Sequence, residues 1–219
     1  MQHITFLRDQ ERLYNEIAKE RKLLLRYGTK AGFGTYGLQK GISVHLGFAK
    51  KFSEQLENIA GKVGKFVNAH TYTKGQLHTT LVRITGELAT SKQVLNLPQE
   101  AIQHVLNGRK YNVVIKFDGF LYNQDAVILR GVPNSEFTSL FSSLLVELKK
   151  RGVNALPPKM THITLARFLM HGKSGVKQLS KYLDELSFSA ETIPEWVEVA
   201  NFNLFPEKIA FTKVKRFQL

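Results

Sequence analysis

The chain has 219 residues, of which 43% are hydrophobic and 11% aromatic, and this composition excludes an intrinsically disordered protein. It contains no cysteine, which excludes disulfide bonds, thiolate nucleophiles and cysteine-ligated zinc, and we expect a cytoplasmic protein. The 31 Lys and Arg residues outnumber the 18 Asp and Glu residues, so a net charge of +13 favours polyanionic partners such as RNA or a nucleotide.

The sequence divides into an N-terminal segment, residues 1–40, and a longer segment, residues 41–219. Residues 8–27 have the pattern of a basic amphipathic helix, and a glycine-rich connector follows at 31–37. The connector matches G-x-G-x-x-G by letter. However, it follows a helix and precedes a strand, the reverse of the dinucleotide-binding order, so we interpret it as a linker. No apolar run reaches about 18 residues, and we expect no membrane span.

Residues 41–219 begin with a strand–helix–strand unit. Residues 42–49 are predicted to form a strand, Ser53 to cap a helix, and residues 77–83 to form a second strand. The helix is indicated by apolar residues at helical spacing, namely Leu56, Ile59, Ala60, Val63, Phe66 and Val67.

A second unit repeats the first. Residues 126–132 and 161–168 are predicted strands, and between them lies a helix that ends at Gly152. Each first strand begins 36 residues before a histidine, His78 in one unit and His162 in the other, so we expect two similar lobes that face each other. The remaining predicted elements are helices over 98–108 and 173–187 and strands over 111–120, 196–205 and 209–217.

Both units end in His-x-Thr-Leu, at His78 and Thr80 and again at His162 and Thr164. Alternate side chains of a strand share a face, so each histidine and its threonine point the same way. Two imidazoles in one cleft suit cleavage of a phosphodiester, because one can accept a proton while the other donates one. The threonine hydroxyls can donate hydrogen bonds to the phosphate oxygens, where charge develops.

Chance does not account for two copies of this motif, since seven histidines give about 0.05 expected copies at ordinary residue frequencies. His3-Ile4-Thr5-Phe6 nearly matches, but no strand and helix precede it, so we set it aside. Other histidines lack metal-ligand spacing such as H-E-x-x-H, and we expect neither a metal nor a cofactor.

The paired motifs resemble those of the 2H phosphoesterase superfamily, over residues 41–219. The resemblance implies an α+β, bilobal fold in which two pseudo-symmetric lobes, each with an antiparallel sheet, line a central cleft with helices outside. It implies metal-independent chemistry on RNA-type 2′,3′-cyclic phosphate or 2′-5′ phosphodiester bonds, which run in reverse would join RNA ends. His78, Thr80, His162 and Thr164 fall on the four catalytic positions of that family.

The resemblance also implies a phosphate-binding role for Arg167, five residues after its histidine. Strict alternation places this position on the opposite face of the strand, so the role requires a β-bulge or the strand's end. The equivalent Arg83 is interpreted as a solvated or structural charge, and His45, whose strand lacks the threonine, as a packed histidine.

Two other functions use the same motifs. The cleft could hydrolyse 2′-5′ oligoadenylate or a cyclic nucleotide signal, which the sequence does not distinguish from an RNA end. Alternatively it could bind RNA ends or a nucleotide without turnover, although pure binding does not require two titratable groups.

Overall fold

The computed structural model describes residues 3–31, 39–85, 92–204 and 209–219, so the predicted glycine-rich connector falls outside them except for Ala31. The helices are α1 (His3–Tyr27), α2 (Lys50–Phe66), α3 (Lys92–Gly108), α4 (Ser135–Lys150) and α5 (Val176–Glu185). The strands are β1 (Gln39–Gly47), β2 (Ala69–Thr71), β3 (Thr79–Thr85), β4 (Ile115–Tyr122), β5 (Ala126–Pro133), β6 (His162–Phe168), β7 (Ala190–Thr192), β8 (Trp196–Leu204) and β9 (Ile209–Gln218).

The strands form two antiparallel sheets, and each sheet carries one His-x-Thr motif. The first sheet has the order β3-β1-β8-β9, so the last two strands of the chain complete the first lobe. The second has the order β2-β6-β5-β4-β7. This arrangement confirms the predicted α+β fold with an antiparallel sheet in each lobe.

Helices α2 and α4 occupy equivalent places in the two units. Each buries one apolar stripe, as the helical spacing predicted. The predicted cap at Ser53 is wrong, because α2 begins at Lys50 and Ser53 is buried inside its first turns, where its hydroxyl lies 3.4 Å from the Phe48 carbonyl. The predicted stop at Gly152 is confirmed, since this residue follows α4 with a φ of 72°, a conformation that glycine adopts without strain.

One hydrophobic core runs through both lobes. Phe48, Phe52 and Phe117 meet with ring centroids 5.3 to 5.7 Å apart, and they join the end of β1 and the start of α2 to β4 of the other sheet. Aromatic rings at this spacing bury large apolar surfaces, so the two sheets are held together by packing. None of the helices within the described ranges is long and apolar enough to cross a membrane.

The boundaries of several other elements differ from the prediction. Strand β4 begins at Ile115 and not at Tyr111, and helix α3 begins at Lys92, with Pro98 inside it. The strands β2 and β7 were not predicted, because three residues are too few to show an alternating pattern.

A β-bulge interrupts both motif strands at the same position. In β3, Thr80 pairs with His45 and Val82 with Val44, which leaves Leu81 as an extra residue. In β6, Leu165 is the extra residue in the same way, between Thr164 and Ala166. A bulge of one residue reverses the facing of every later side chain in its strand. The fifth residue after each histidine is therefore returned to the histidine's face.

Candidate active site

The two His-x-Thr motifs lie side by side where the sheets meet. The Thr79 hydroxyl donates a hydrogen bond to the His162 carbonyl over 3.3 Å, and β3 contacts β6. Thr79 and Ile163, the middle residues of the motifs, are fully buried. The four predicted catalytic side chains are partly exposed on the opposite faces of these strands, and they are His78, Thr80, His162 and Thr164.

Both histidines are held in the same orientation by their own backbone. Nδ1 of His78 lies 2.7 Å from the Gln76 carbonyl, and Nδ1 of His162 lies 3.4 Å from the Met160 carbonyl. A carbonyl only accepts, so each Nδ1 carries the proton in the neutral ring and each Nε2 is left as the acceptor. The two imidazoles are thus equivalent proton acceptors until one of them is protonated.

The pKa values of both histidines are lowered. Burial lowers the pKa of His162 to about 4, and the positive charges of Arg167 and Arg83 add to this effect against the bond to Met160. Burial also brings the pKa of His78 well below its ordinary value, with further lowering by His45 and His162. Without a substrate, both rings are neutral near pH 7.

His45 is a feature of this site that the sequence did not assign to it. Its ring packs on His78 with centroids 4.2 Å apart, while the Phe211 ring lies 5.0 Å from His78 on another side. His45 is buried, as predicted for a packed histidine, and its Nε2 donates to the Glu198 carboxylate over 3.2 Å. The stacked rings restrict the movement of His78. The signal available in the sequence was only that His45 lies on the polar side of its strand.

Two arginines share the face of the histidines because of the bulges. Arg167 lies beyond the bulge in β6 and donates from Nε to the Tyr72 hydroxyl over 3.2 Å. Arg83 lies at the equivalent position of β3 and is exposed. The positive charges of both arginines lower the pKa of His162. The sequence predicted a solvated or structural charge at Arg83, and its exposure agrees with a solvated one, although both copies share the longer pattern His-x-Thr-Leu-x-Arg.

Helix α1 supports the start of the second motif strand. The Gln10 side chain accepts a hydrogen bond from the Thr161 amide over 3.0 Å, and the Tyr14 hydroxyl bonds the Thr161 carbonyl. Tyr14 also accepts from the Gly131 amide over 3.3 Å, and both helix side chains are buried. The residue immediately before His162 is therefore fixed from the N-terminal segment, which packs on β4, α4 and α5.

Two further histidines, His70 and His104, do not belong to a His-x-Thr motif. His104 is exposed on α3, and His70 lies in β2, where it pairs with Arg167 of β6. In the part of the chain that the structure describes, no group of three or more His, Cys, Asp and Glu side chains could hold a metal ion.

Comparison with known proteins shows the fold. No protein-family model and no curated protein matches this sequence. Among solved structures, TT0787 of Thermus thermophilus has a TM-score of 0.58 at 18% identity, over 81% of this chain and 97% of its own. E. coli LigT complexed with NADP+ has a TM-score of 0.56 at 15% identity, over 83% of this chain and 98% of its own. The ns2 PDE domain of MHV has a TM-score of 0.51 at 14% identity, over 82% of this chain and 100% of its own.

At these identities the likeness concerns the fold, which is the 2H phosphoesterase-like fold expected from the motifs. The compared chains are covered almost completely, whereas nearly a fifth of this chain lies outside each alignment.

Proposed function

We propose that this protein is a metal-independent 2H-type phosphodiesterase that acts on RNA-type 2′,3′-cyclic phosphate or 2′-5′ phosphodiester bonds. The observation that carries the proposal is the pairing of two His-x-Thr motifs on contacting strands, each with its Nε2 left as a proton acceptor. The fold agrees with this activity, since LigT has been crystallised with 3′-AMP, ATP and phosphate. A net charge of +13 suits an anionic substrate.

In the proposed reaction, water adds to the phosphorus and the bond to one ribose oxygen breaks. One neutral histidine takes the proton from the water at Nε2, and the other, protonated, gives a proton to the departing ribose oxygen. The hydroxyls of Thr80 and Thr164 and the guanidinium groups of Arg83 and Arg167 stabilise the negative charge on the phosphate oxygens. The two histidines are assigned jointly, because either can serve as acid or base.

The first experiment is to incubate a short RNA ending in a 2′,3′-cyclic phosphate with the protein and excess chelator. We expect opening to a single monoester, with His104→Ala, a change of an exposed histidine on α3 outside the motifs, as the matched control. A parallel assay with 2′-5′ oligoadenylate tests the other phosphodiester substrate. Failure to cleave any of these bonds, with or without metal, would exclude the proposed activity.

The pH dependence of this reaction follows from the lowered pKa values. The acid histidine must be protonated, and in the free protein its pKa lies below the ordinary value of 6.5, so we expect kcat/KM to fall as the pH rises above that low pKa. A bound phosphate anion favours the imidazolium and raises its pKa, so the fall in kcat should occur at higher pH. Initial rates between about pH 5 and pH 9 measure both profiles. Coinciding profiles, both falling above pH 6.5, would contradict this expectation.

A further inference from the structure

A pocket of about 160 Å³ lies beside the candidate active site, on the same lobe as His78. It is bounded by the end of β1, the start of α2, the loop before His78 and the strands β8 and β9. His45 forms one wall, and its ring also packs on His78 at 4.2 Å. The pocket is therefore separated from the proposed catalytic histidine by the thickness of one side chain. Basic and aromatic side chains prominent in its lining are His45, Lys50, Lys74, Trp196, Lys213 and Arg216.

Positive charge exceeds negative charge around this pocket. Lys50 and Lys74 share one carboxylate, Glu54, at 3.9 and 2.9 Å. Lys213 and Arg216 share Glu198, at 3.4 and 2.9 Å, in the same manner. Four cations thus face two carboxylates.

His45 adds no charge to this surface, because burial lowers its pKa and its ring is neutral at pH 7. An excess of two positive charges remains, and a phosphate group is the natural counter-charge for it.

Glu198 holds the strand β9 side of the pocket in place. Its carboxylate is buried and receives Nε and Nη2 of Arg216 at 3.1 and 2.9 Å. The guanidinium lies over the Trp196 ring at 3.9 Å, so its orientation is set from two sides. The bonds to Glu198 do not use Nη1 of Arg216, so this nitrogen can donate to a phosphate oxygen in a fixed geometry.

The start of α2 adds donors on the opposite side of the pocket. The helix begins at Lys50 after Ala49, and no side chain caps it. Its first backbone amides and the positive end of its dipole therefore add to the charge of Lys50.

We propose that this pocket binds a second phosphate of the substrate, the diester linkage one nucleotide from the bond under attack, so that the enzyme selects oligonucleotides over mononucleotides. This inference rests on the proposed function. A 5′-phosphate on a single nucleotide offers the same chemistry, and the experiment separates the two sources.

The test compares kcat/KM for three substrates with the same cyclic end: adenosine 2′,3′-cyclic phosphate, its 5′-phosphorylated form, and the dinucleotide ApA with a 2′,3′-cyclic phosphate. We expect the wild type to prefer the dinucleotide over the first mononucleotide by about tenfold or more. Lys50→Gln and Lys213→Gln should each reduce that ratio severalfold, whereas Lys51→Gln, an exposed neighbour on α2 outside the pocket, should leave it unchanged.

An equal rate with the dinucleotide and the unphosphorylated mononucleotide would overturn this inference while leaving the proposed function intact. A 5′-phosphate that matches the dinucleotide would assign the pocket to a terminal phosphate and overturn the choice of oligonucleotides. If no substrate is cleaved, calorimetric binding of ApAp and of adenosine 3′-phosphate to the same variants still decides it. Equal affinities that the lysine changes do not alter would refute the second phosphate site.

Discussion

Replacing either His78 or His162 by alanine is expected to lower kcat on a 2′,3′-cyclic phosphate by about 10²–10⁴-fold, because each change removes one proton-transfer group. The two losses should not multiply in the double variant, since the histidines act in one step. Saturating turnover and thermal unfolding, measured together, separate lost chemistry from lost folding. His162→Asn provides a milder change for the case in which alanine disturbs the strand.

The His78 substitution carries an additional structural effect. Its ring is packed between His45 and Phe211, so alanine leaves a gap there, whereas His162→Ala has no comparable ring contact within the described residues. We therefore expect His78→Ala to lower the melting temperature more than His162→Ala does. Turnover that survives both substitutions would mean that the site lies elsewhere. If the protein binds RNA without turnover, and neither histidine substitution changes that binding, the result would favour a module that binds RNA ends without cleaving them.

Replacing Arg83 or Arg167 by glutamine is expected to lower kcat/KM by about 10²-fold, because each guanidinium stabilises charge on the phosphate. The same changes should raise the pKa of His162, because in the wild type the positive charges of both arginines disfavour its protonation. Kinetics and an NMR titration of the His162 ring measure the two effects independently.

Two controls make the arginine prediction specific. Arg109→Gln removes an arginine that directly follows α3 and pairs with Glu136 on α4, and it should change neither quantity. Tyr72→Phe removes only the hydroxyl that holds Arg167, and we expect an intermediate loss. If the pKa of His162 does not move in either arginine variant, the guanidinium groups do not share its cleft.

The sequence predicted this site as far as local patterns extend. The motif strands alternate apolar and polar residues, so His78, Thr80, His162 and Thr164 could be placed on one face of each strand without knowing their partners. Arg83 could not be placed on that face, because the side to which it points depends on a bulge at Leu81. A bulge is a property of the pairing between two strands and not of one strand's sequence.

The contacts that hold His78 and His162 in place could not be predicted from local patterns either, because they come from residues distant in sequence. His45 meets His78 across two neighbouring strands, and Glu198 reaches His45 from a strand near the end of the chain. Gln10 and Tyr14 act on backbone groups of β5 and of the residue before β6, and such bonds leave no periodicity in the sequence. Trp196 lines the pocket beside the candidate site, which no local pattern in the sequence indicates.

The hydrogen bonds that anchor α1 limit the order in which parts of the protein can fold during synthesis. Gln10 and Tyr14 are separated from Thr161 by 151 and 147 residues, so α1 leaves the ribosome well before Thr161 is synthesised, and its buried hydrogen bonds can form only afterwards. Until then the helix exposes Phe6 and Tyr14, which the folded protein buries. The backbone before His162 is fixed by the same hydrogen bonds, so it too becomes ordered only after that point. A nascent chain that carries only the first motif therefore lacks a complete site and exposes apolar side chains that favour aggregation.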